Sequence, residues 1–188
     1  MLEIAPLAVA GIDLATGTAA VNGMVSGLPV CIAPAAPLTR WSLRARDAGA
    51  LSAAIGRALP DRIGAVIDGI ARLGPDEWYA LLPEGTVLPG GAGLPVSVVE
   101  VTARAVGFTV EGAGAVAALA RGCPLDLAGF APGRATRTVF ETVEVQIWAT
   151  APETYHVEVW RSFAPWLWHS LAAGLALAEG LALTAGLD

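Results

Sequence analysis

Hydrophobic residues alternate with polar ones along several short segments, and this period of two predicts β-strands with one buried face. The clearest segment is 40–46, where Trp41, Leu43 and Ala45 alternate with arginines and a serine. In 155–160, three hydrophobic residues alternate in the same way against His156, Glu158 and Trp160. Similar patterns or short apolar runs predict further strands at 66–71, 78–82, 96–101 and 142–148, with a run at 105–110 that either continues the strand at 96–101 or pairs with it.

Three helices are predicted between and after these strands. The first starts after Asp47, whose carboxylate can accept hydrogen bonds from the free N–H groups of the first turn, and it stops before Pro60. A second, short helix covers 116–120 and is closed by Gly122-Cys123-Pro124. Ser162 is the predicted N-cap of the third helix, with Pro165 in the first turn. Apolar residues recur every four positions in the first helix: Leu51, Ile55 and Leu59.

The order of these elements suggests an internal duplication. Turns of similar sequence occur at 73–79 and at 150–156, and each joins two strands that follow a helix. The predicted fold is therefore α+β, with two quasi-repeated strand-helix-hairpin units, antiparallel sheets and a C-terminal helix.

The same pass predicts how the chain is divided. Residues 1–38 are rich in Ala, Gly and Pro and are expected to form an N-terminal arm, with one short strand near 29–32. The first α+β half is predicted at 39–90 and the second at 91–188, with the boundary in the Gly- and Pro-rich loop 83–95. A single compact unit is the alternative.

Composition adds information about partners. Hydrophobic residues make up 55% of the 188 residues and charged residues only 15%, which excludes a disordered chain. The net charge is −6, and all 11 basic residues are arginine, so the chain lacks the basic face that a nucleic-acid binder needs. Because a soluble domain usually carries about 25% charged residues, the shortfall indicates apolar surface that other proteins cover. The isolated chain is expected to self-associate.

The two ends of the chain bear on its location. Segment 171–187 carries a single charge, Glu179, and is short for a membrane span, which needs about 20 apolar residues. We expect a helix buried against protein, with a membrane tether over 166–187 as the alternative. The first residues lack the basic region of a secretory signal, and Cys31 and Cys123 are too few for a disulfide framework. These features predict a cytoplasmic protein with reduced thiols.

The motifs that could carry catalysis or bind a cofactor are all incomplete. Gly112-Ala113-Gly114 opens a helix after a strand, as in a dinucleotide-binding fingerprint, but the acidic residue expected about 20 positions later is missing. Cys123 has no histidine base near it in the sequence, and His156 and His169 form no recognisable metal set. We therefore predict no catalytic, cofactor-binding or metal-binding residue in this chain.

Better candidates are residues that would contact a protein partner. Arg134 and Arg137 are three positions apart, so a β-strand places them on opposite faces, where each can bind a partner carboxylate through two hydrogen bonds. Segment 160–168 contains three tryptophans and a phenylalanine, and some of these rings must instead fill the core. The predicted interface residues are Arg134, Arg137, Trp160, Arg161, Phe163, Trp166 and Trp168.

Four short motifs occur in a recognisable order: Gly74-Pro75-Asp76-Glu77-Trp78, Arg121-Gly122-Cys123-Pro124-Leu125-Asp126-Leu127, Pro132-Gly133-Arg134-Ala135-Thr136-Arg137-Thr138 and Arg161-Ser162-Phe163-Ala164. With these motifs, the chain resembles the gamma subunit of heterotetrameric sarcosine oxidase over about residues 40–169. The resemblance implies assembly with alpha, beta and delta subunits into a complex that oxidises sarcosine and transfers the one-carbon unit to tetrahydrofolate. It also implies that FAD, FMN, NAD and zinc, the last on the delta subunit, belong to other chains of the complex.

The resemblance further implies a fold similar to the folate-binding modules of the aminomethyltransferase type, and a noncatalytic, structural role for this subunit. Two alternatives remain open from the residues. One is a subunit of a related N-methyl amino acid dehydrogenase, and the other is a free-standing module that binds folate or another one-carbon carrier. The second alternative predicts a concave pocket between the two halves.

Overall fold

A computed structural model describes residues 19–91 and 93–185, with side chains as far as Leu175 in the last helix. Within these residues the chain forms eleven strands and three helices. In chain order they are β1 (Val21–Val25), β2 (Leu28–Pro34), β3 (Leu38–Ala45), α1 (Ala48–Ile55), β4 (Val66–Ile67), β5 (Ile70–Arg72), β6 (Glu77–Pro83), β7 (Val96–Glu100), β8 (Ala105–Glu111), α2 (Ala115–Ala120), β9 (Arg134–Phe140), β10 (Val143–Ala151), β11 (Thr154–Trp160) and α3 (Ala164–Ala185). Short 3₁₀ turns at Thr102–Arg104 and Arg161–Phe163 precede β8 and α3.

The strands form two antiparallel sheets, and the predicted α+β class is confirmed. The large sheet has the order β1-β2-β8-β11-β10-β9, and the small sheet has the order β4-β5-β6-β3-β7. The first half runs β3-α1-β4-β5-β6 and the second runs β8-α2-β9-β10-β11, so the same arrangement of elements occurs twice. This topology supports the predicted quasi-repeat.

In each sheet, the four strands of one half are extended by a strand from elsewhere in the chain. In the small sheet, β7 pairs with β3, although β7 directly precedes the second half in sequence. In the large sheet, β2 pairs with β8, although β2 directly precedes the first half. Each half therefore receives a strand from the segment that leads into the other half.

This exchange corrects two expectations. Residues 21–34 form the hairpin β1–β2 inside the large sheet, where an arm with one short strand was expected. The strand at 96–100 neither continues into the run at 105–111 nor pairs with it, because the two lie in different sheets. Residues 1–18 lie outside the described part of the chain, and the division at 38 and 90 stays a prediction.

Three hydrophobic clusters hold the layers together. One lies between the large sheet and helices α2 and α3, and it includes Phe108, Leu119 and Leu167. A second lies between the small sheet and α1 and includes Trp41, Leu51 and Trp78. A third, smaller cluster joins the two sheets: Ala71, Tyr79, Val101, Ala135 and Trp148. The order of the layers is therefore α2 and α3, the large sheet, the small sheet, and α1.

Local signals explain most element boundaries. The Asp47 side chain accepts hydrogen bonds from the backbone N–H of Gly49 at 2.8 Å and of Ala50 at 3.3 Å, which confirms the predicted cap of α1. The helix ends at Ile55 rather than at Pro60, because Gly56 adopts the left-handed conformation that terminates helices. The segment predicted as one strand at 66–71 is a hairpin, since Asp68-Gly69 forms a tight turn with positive φ at both residues.

The C-terminal helix α3 starts at Ala164, so Ser162 lies in the preceding 3₁₀ turn rather than at the N-cap, and Pro165 lies in the first turn as expected. Leu171 and Leu175 of this helix are buried against the large sheet within the chain. The remaining side chains of the segment 176–187 lie outside the described residues. In the described part of the chain, no helix has the length and apolarity needed to cross a membrane.

Candidate functional site

The segment 160–168 divides between the surface and the core. Trp160 is 39% exposed and Phe163 is 45% exposed, and Arg161 between them is also exposed. The Arg161 Nε–H donates to the backbone carbonyl of Ala103 at 2.8 Å, which fixes the guanidinium against the 3₁₀ turn before β8. We call Trp160, Arg161 and Phe163 the aromatic corner. All three are predicted interface residues, and their exposure leaves them available for a partner.

The other two tryptophans of this segment point inward. Trp168 is buried, and its ring centroid lies 5.5 Å from that of Phe108 in the large sheet. Trp166 is half-buried and packs against the same cluster. Helix periodicity explains why Trp168 is buried, because it shares a face of α3 with the buried residues Leu171 and Leu175. Trp168 therefore belongs to the core of this chain rather than to an exposed contact surface.

The two predicted arginines have partners within the chain. Arg137 binds the carboxylate of Glu77 through both terminal nitrogens, and its Nε lies 3.6 Å from Glu144. Because Glu77 starts β6 and Arg137 lies in β9, this ion pair joins the small sheet to the large one. The hydrogen bond from Arg137 to Glu77 raises the pKa of the guanidinium above its usual value. Arg134 is exposed, with its guanidinium 4.8 Å from the ring centroid of Phe130.

A buried cluster of charged and polar side chains between the sheets was missed by the sequence reasoning. Arg40 in β3 donates from Nε to Glu158 Oε2 at 2.7 Å and from Nη2 to Oε1 at 2.8 Å. His156 Nε2 lies 2.6 Å from Glu158 Oε1. Side-chain exposure is only 8% for Arg40, 2% for Glu158 and 7% for His156. We call these three residues the buried ion cluster.

The ionisation of Glu158 follows from these contacts. Burial by itself would raise the pKa of the carboxyl, but the hydrogen bonds from His156 and Arg40 outweigh it and lower the pKa below the ordinary value. The same pairing keeps Arg40 protonated, because the Glu158 carboxylate overcomes the effect of burial and raises the pKa of the guanidinium. Burial, together with the nearby Glu158 carboxylate, also raises the pKa of the Tyr79 hydroxyl. Arg40 and Glu158 therefore form an ionised pair with little exposure to solvent.

A glycine makes room for the cluster. At Gly107 in β8, a Cβ atom would lie 2.5 Å from Cε1 of His156 and 2.7 Å from Oε1 of Glu158. Gly107 pairs with Glu158 across the strands, so any side chain on that face would displace the carboxylate or the ring. The signal available in the sequence was the lone glycine in the run 105–110, since an isolated glycine in a strand marks close approach of another group.

The glycine pair Gly112 and Gly114 has a packing role. A Cβ at Gly112 would lie 2.6 Å from the carbonyl oxygen of Pro29, and one at Gly114 would lie 2.7 Å from that of Leu28. The Gly114 N–H donates to the Pro29 carbonyl at 2.9 Å. The two glycines let the start of α2 approach β2 closely, as the sequence reasoning preferred over nucleotide binding.

The remaining candidate nucleophile and metal ligands are dispersed. Cys123 is buried after α2 and Cys31 is partly exposed in β2, and both are free thiols. His169 is exposed on α3, whereas His156 is buried between the sheets. Within the described residues, no group of three His, Cys, Asp or Glu side chains could hold a metal ion.

A cavity of about 310 Å³ lies between the two sheets. The small sheet contributes Leu38, Val66, Gly69 and Leu81, and the large sheet contributes Trp148, Ala149, Thr150 and His156, with Gly133 just before β9. A pocket in this place is what the folate-module alternative expects, and folate binding itself stays a prediction.

Known proteins similar to this chain agree with the resemblance drawn from the motifs. No model of a protein family matches the chain. It is 32% identical over 120 residues to the sarcosine oxidase subunit gamma of an Arthrobacter species, covering 57% of this chain and 59% of that protein. The same identity and coverage hold for the sarcosine oxidase subunit gamma of Corynebacterium sp. strain P-1. The chain thus spans about 59% of the length of these curated relatives.

Solved structures extend the similarity to the fold. A chain of heterotetrameric sarcosine oxidase from Corynebacterium sp. U-96, solved with pyrrole 2-carboxylate, matches with a TM-score of 0.74 and 27% identity over 83% of this chain and 88% of that one. Aminomethyltransferase T of the Bartonella henselae glycine cleavage system matches with a TM-score of 0.56 and 13% identity, over 74% of this chain and 44% of that one. The predicted resemblances to the gamma subunit and to the aminomethyltransferase-type fold are both confirmed.

Proposed function

We propose that this chain is a noncatalytic gamma-type subunit of a heterotetrameric sarcosine oxidase complex, in which it supports assembly. The observation that carries the proposal is the match to a chain of heterotetrameric sarcosine oxidase over 83% of this chain and 88% of that one. Two relatives named sarcosine oxidase subunit gamma support it from sequence. The partners proposed on this basis are the alpha, beta and delta subunits of the complex.

The proposal assigns the redox and one-carbon chemistry to those partners. FAD, FMN, NAD, tetrahydrofolate and zinc are bound by the other subunits, and this chain binds none of them. The buried ion cluster supports this division, because the carboxylate of Glu158 uses both oxygens to bind Arg40 and His156. Groups that are paired in this way stabilise the chain. A cytoplasmic location fits the two free cysteines.

The aromatic corner is the proposed contact with a large subunit. Tryptophan, arginine and aromatic rings dominate the energy of protein interfaces when a partner removes them from water. Trp160 and Phe163 leave 39% and 45% of their surface exposed in the single chain, so a partner that covers the corner would bury two large rings. Arg161 is already held by the Ala103 carbonyl, so a partner would order it at little entropic cost.

Co-purification tests the assembly role. The chain carries an affinity tag and is co-expressed with the alpha, beta and delta subunits encoded by the same organism. We expect all four chains to elute together, and the double variant Trp160→Ala/Phe163→Ala to lose at least tenfold in affinity for the complex, since each anchor residue contributes about 2 kcal/mol or more. The matched control is Val139→Ala, an exposed hydrophobic residue on the outer strand β9. Failure of the unmodified chain to elute with any partner would refute the subunit role.

Substrate choice is tested with the assembled complex. We expect oxidation of sarcosine to exceed that of other N-methyl amino acids, measured as substrate-dependent oxygen consumption. A complex that assembles but prefers a different N-methyl amino acid would support the dehydrogenase alternative and leave the assembly role intact.

A further inference from the structure

Two arginines lie side by side at the aromatic corner. The last pair of the ladder between β8 and β11 is Ala105 with Trp160. Arg104 directly precedes Ala105 and Arg161 directly follows Trp160, so the backbones of the two arginines are neighbours at the same end of the two strands. Both arginines are exposed, and the exposed Phe163 lies in the same 3₁₀ turn as Arg161. The corner therefore combines two positive charges with two exposed aromatic rings.

The guanidinium of Arg161 has a defined position beside Arg104. Its Nε–H donates to the carbonyl of Ala103 at 2.8 Å, and Ala103 and Arg104 belong to the same 3₁₀ turn. Within the described part of the chain, Nη1 and Nη2 of Arg161 make no hydrogen bond. These two nitrogens form the end of the guanidinium that can hold a carboxylate through two parallel hydrogen bonds.

The two positive charges are not compensated within the described residues. Neither Arg104 nor Arg161 forms a salt bridge there. Two carboxylates line the small pocket beside Trp160, but Glu144 pairs with an arginine of β9 and Glu158 belongs to the buried ion cluster. Like charges on neighbouring positions of adjacent strands destabilise a sheet. A carboxylate supplied from outside the chain would remove this repulsion.

We propose that the aromatic corner docks an acidic segment of a large subunit, in which one carboxylate binds both Arg104 and Arg161 and a neighbouring apolar side chain packs on Trp160 and Phe163. The docking rests on the proposed subunit role and adds the chemistry of the partner surface. Because the chain has a net charge of −6, a local positive patch also determines which of its faces approaches an acidic partner.

An anionic membrane fits this surface less well than an acidic protein segment. Recognition of anionic lipids uses clusters of about 4–8 basic residues, whereas the corner has two. The overall negative charge of the chain would also repel an extended anionic surface. A single carboxylate requires only the two arginines that are present.

Release of partner chains from the captured complex tests the charge of the docked segment. The tagged chain is co-expressed with the alpha, beta and delta subunits and captured on resin, and the rate at which the partners leave the resin is measured at 50 mM and at 1 M NaCl. We expect Arg104→Gln/Arg161→Gln to release the partners at least tenfold faster than the wild type at 50 mM NaCl. At 1 M NaCl the two rates should converge, because salt screens the contact in the wild type.

Reversing the charge distinguishes an acidic partner from a neutral one. Arg104→Glu/Arg161→Glu places carboxylates opposite the proposed carboxylate, so it should release the partners faster than the glutamine pair does. The control Arg46→Gln/Arg62→Gln removes two charges from exposed positions outside the corner and should release the partners at the wild-type rate. Circular dichroism of the isolated chains checks that each variant keeps the fold.

The outcomes separate this docking from the subunit role. If partners co-elute with the wild type but the glutamine pair releases them at the wild-type rate, if the glutamate pair holds them as well as the glutamine pair, or if the control loosens the complex equally, the acidic segment is refuted and the subunit role stands. If no partner co-elutes with the wild type, both fail. Sedimentation with vesicles of phosphatidylcholine and phosphatidylserine should show no binding of the chain. Binding that the glutamine pair abolishes would assign the corner to a membrane surface instead.

Discussion

Replacing Glu158 by glutamine tests the role of the buried ion cluster in stability. The substitution keeps the size of the side chain and removes its charge, so Arg40 loses its counter-ion while only 8% exposed. The amide also offers an N–H₂ group to a guanidinium that can only donate. Removing one partner of a buried ion pair costs about 3–5 kcal/mol, and solvent screens this pair little because both side chains are nearly inaccessible.

Urea unfolding followed by circular dichroism measures this loss. With a slope of about 2 kcal/mol per molar urea, a loss of 3–5 kcal/mol lowers the midpoint by about 1.5–2.5 M. The control is Asp76→Asn, which removes a carboxylate that is half exposed and pairs with Arg44. For that surface pair we expect a change below about 1 kcal/mol.

A double variant separates the cost of an unpaired charge from the worth of the ion pair. Arg40→Met/Glu158→Leu removes both charges and leaves His156 without its acceptor, which costs about 1–3 kcal/mol. The double variant should therefore be more stable than Glu158→Gln. If Glu158→Gln lost less than about 1 kcal/mol, or if the double variant were the less stable of the two, our account of the cluster would be wrong.

The same cluster predicts how stability depends on acid. The pKa of Glu158 is lower in the folded chain than its ordinary value of 4.5, so the folded state binds this proton less readily than the unfolded state does. The stabilising contribution is thus fully present above pH 4.5 and is lost as the pH falls below it. In the Glu158→Gln variant, this part of the acid dependence should disappear.

Three further predictions concern single residues. Gly107→Ala places a Cβ 2.5 Å from Cε1 of His156, so it should destabilise the chain by about 1–3 kcal/mol, measured by urea unfolding. An unchanged urea midpoint would contradict the close packing at this position. Asp47→Ala removes the cap of α1 and should cost about 1 kcal/mol, whereas Asp47→Asn, which keeps an acceptor for the N–H of Gly49, should cost less. The pKa of the Tyr79 hydroxyl is raised in the folded state. The hydroxyl therefore contributes fully to stability below its ordinary pKa of 10.0, and this contribution declines as the pH rises above that value. Urea unfolding at increasing pH should show the loss in the wild type and not in Tyr79→Phe.

Local patterns in the sequence were sufficient to predict much of the fold. The alternation around Trp41 and Leu43 identified β3 and its buried face, because a strand exposes alternate side chains to opposite sides. Asp47 identified the start of α1, since a helix cap depends on a carboxylate and the N–H groups two and three residues later. The tight turn at Asp68-Gly69 carried an equally local signal that the prediction overlooked.

The buried ion cluster could not be predicted from such local patterns. His156 and Glu158 alternate with hydrophobic residues in β11, and a single strand read alone assigns them to the polar face. That face is buried because the small sheet packs over it and brings Arg40 within 2.7 Å, across 118 residues of sequence. The aromatic segment was ambiguous for a related reason. Trp160 is the exposed last residue of β11, whereas Trp168 lies on the face of α3 that packs against the large sheet.

Residues close together in the chain were enough to predict the class of the fold, its repeated order of elements, the cap of α1 and the resemblance to sarcosine oxidase gamma subunits. Which strands pair, and which polar faces become buried, depends on how the whole chain packs. In each sheet the strand beside β3 or β8 comes from the segment leading into the other half, and nothing in a short window distinguishes that pairing from pairing with a neighbour. The physical reason is that backbone hydrogen bonds between strands are the same for any partner, so the choice follows from how whole faces pack together.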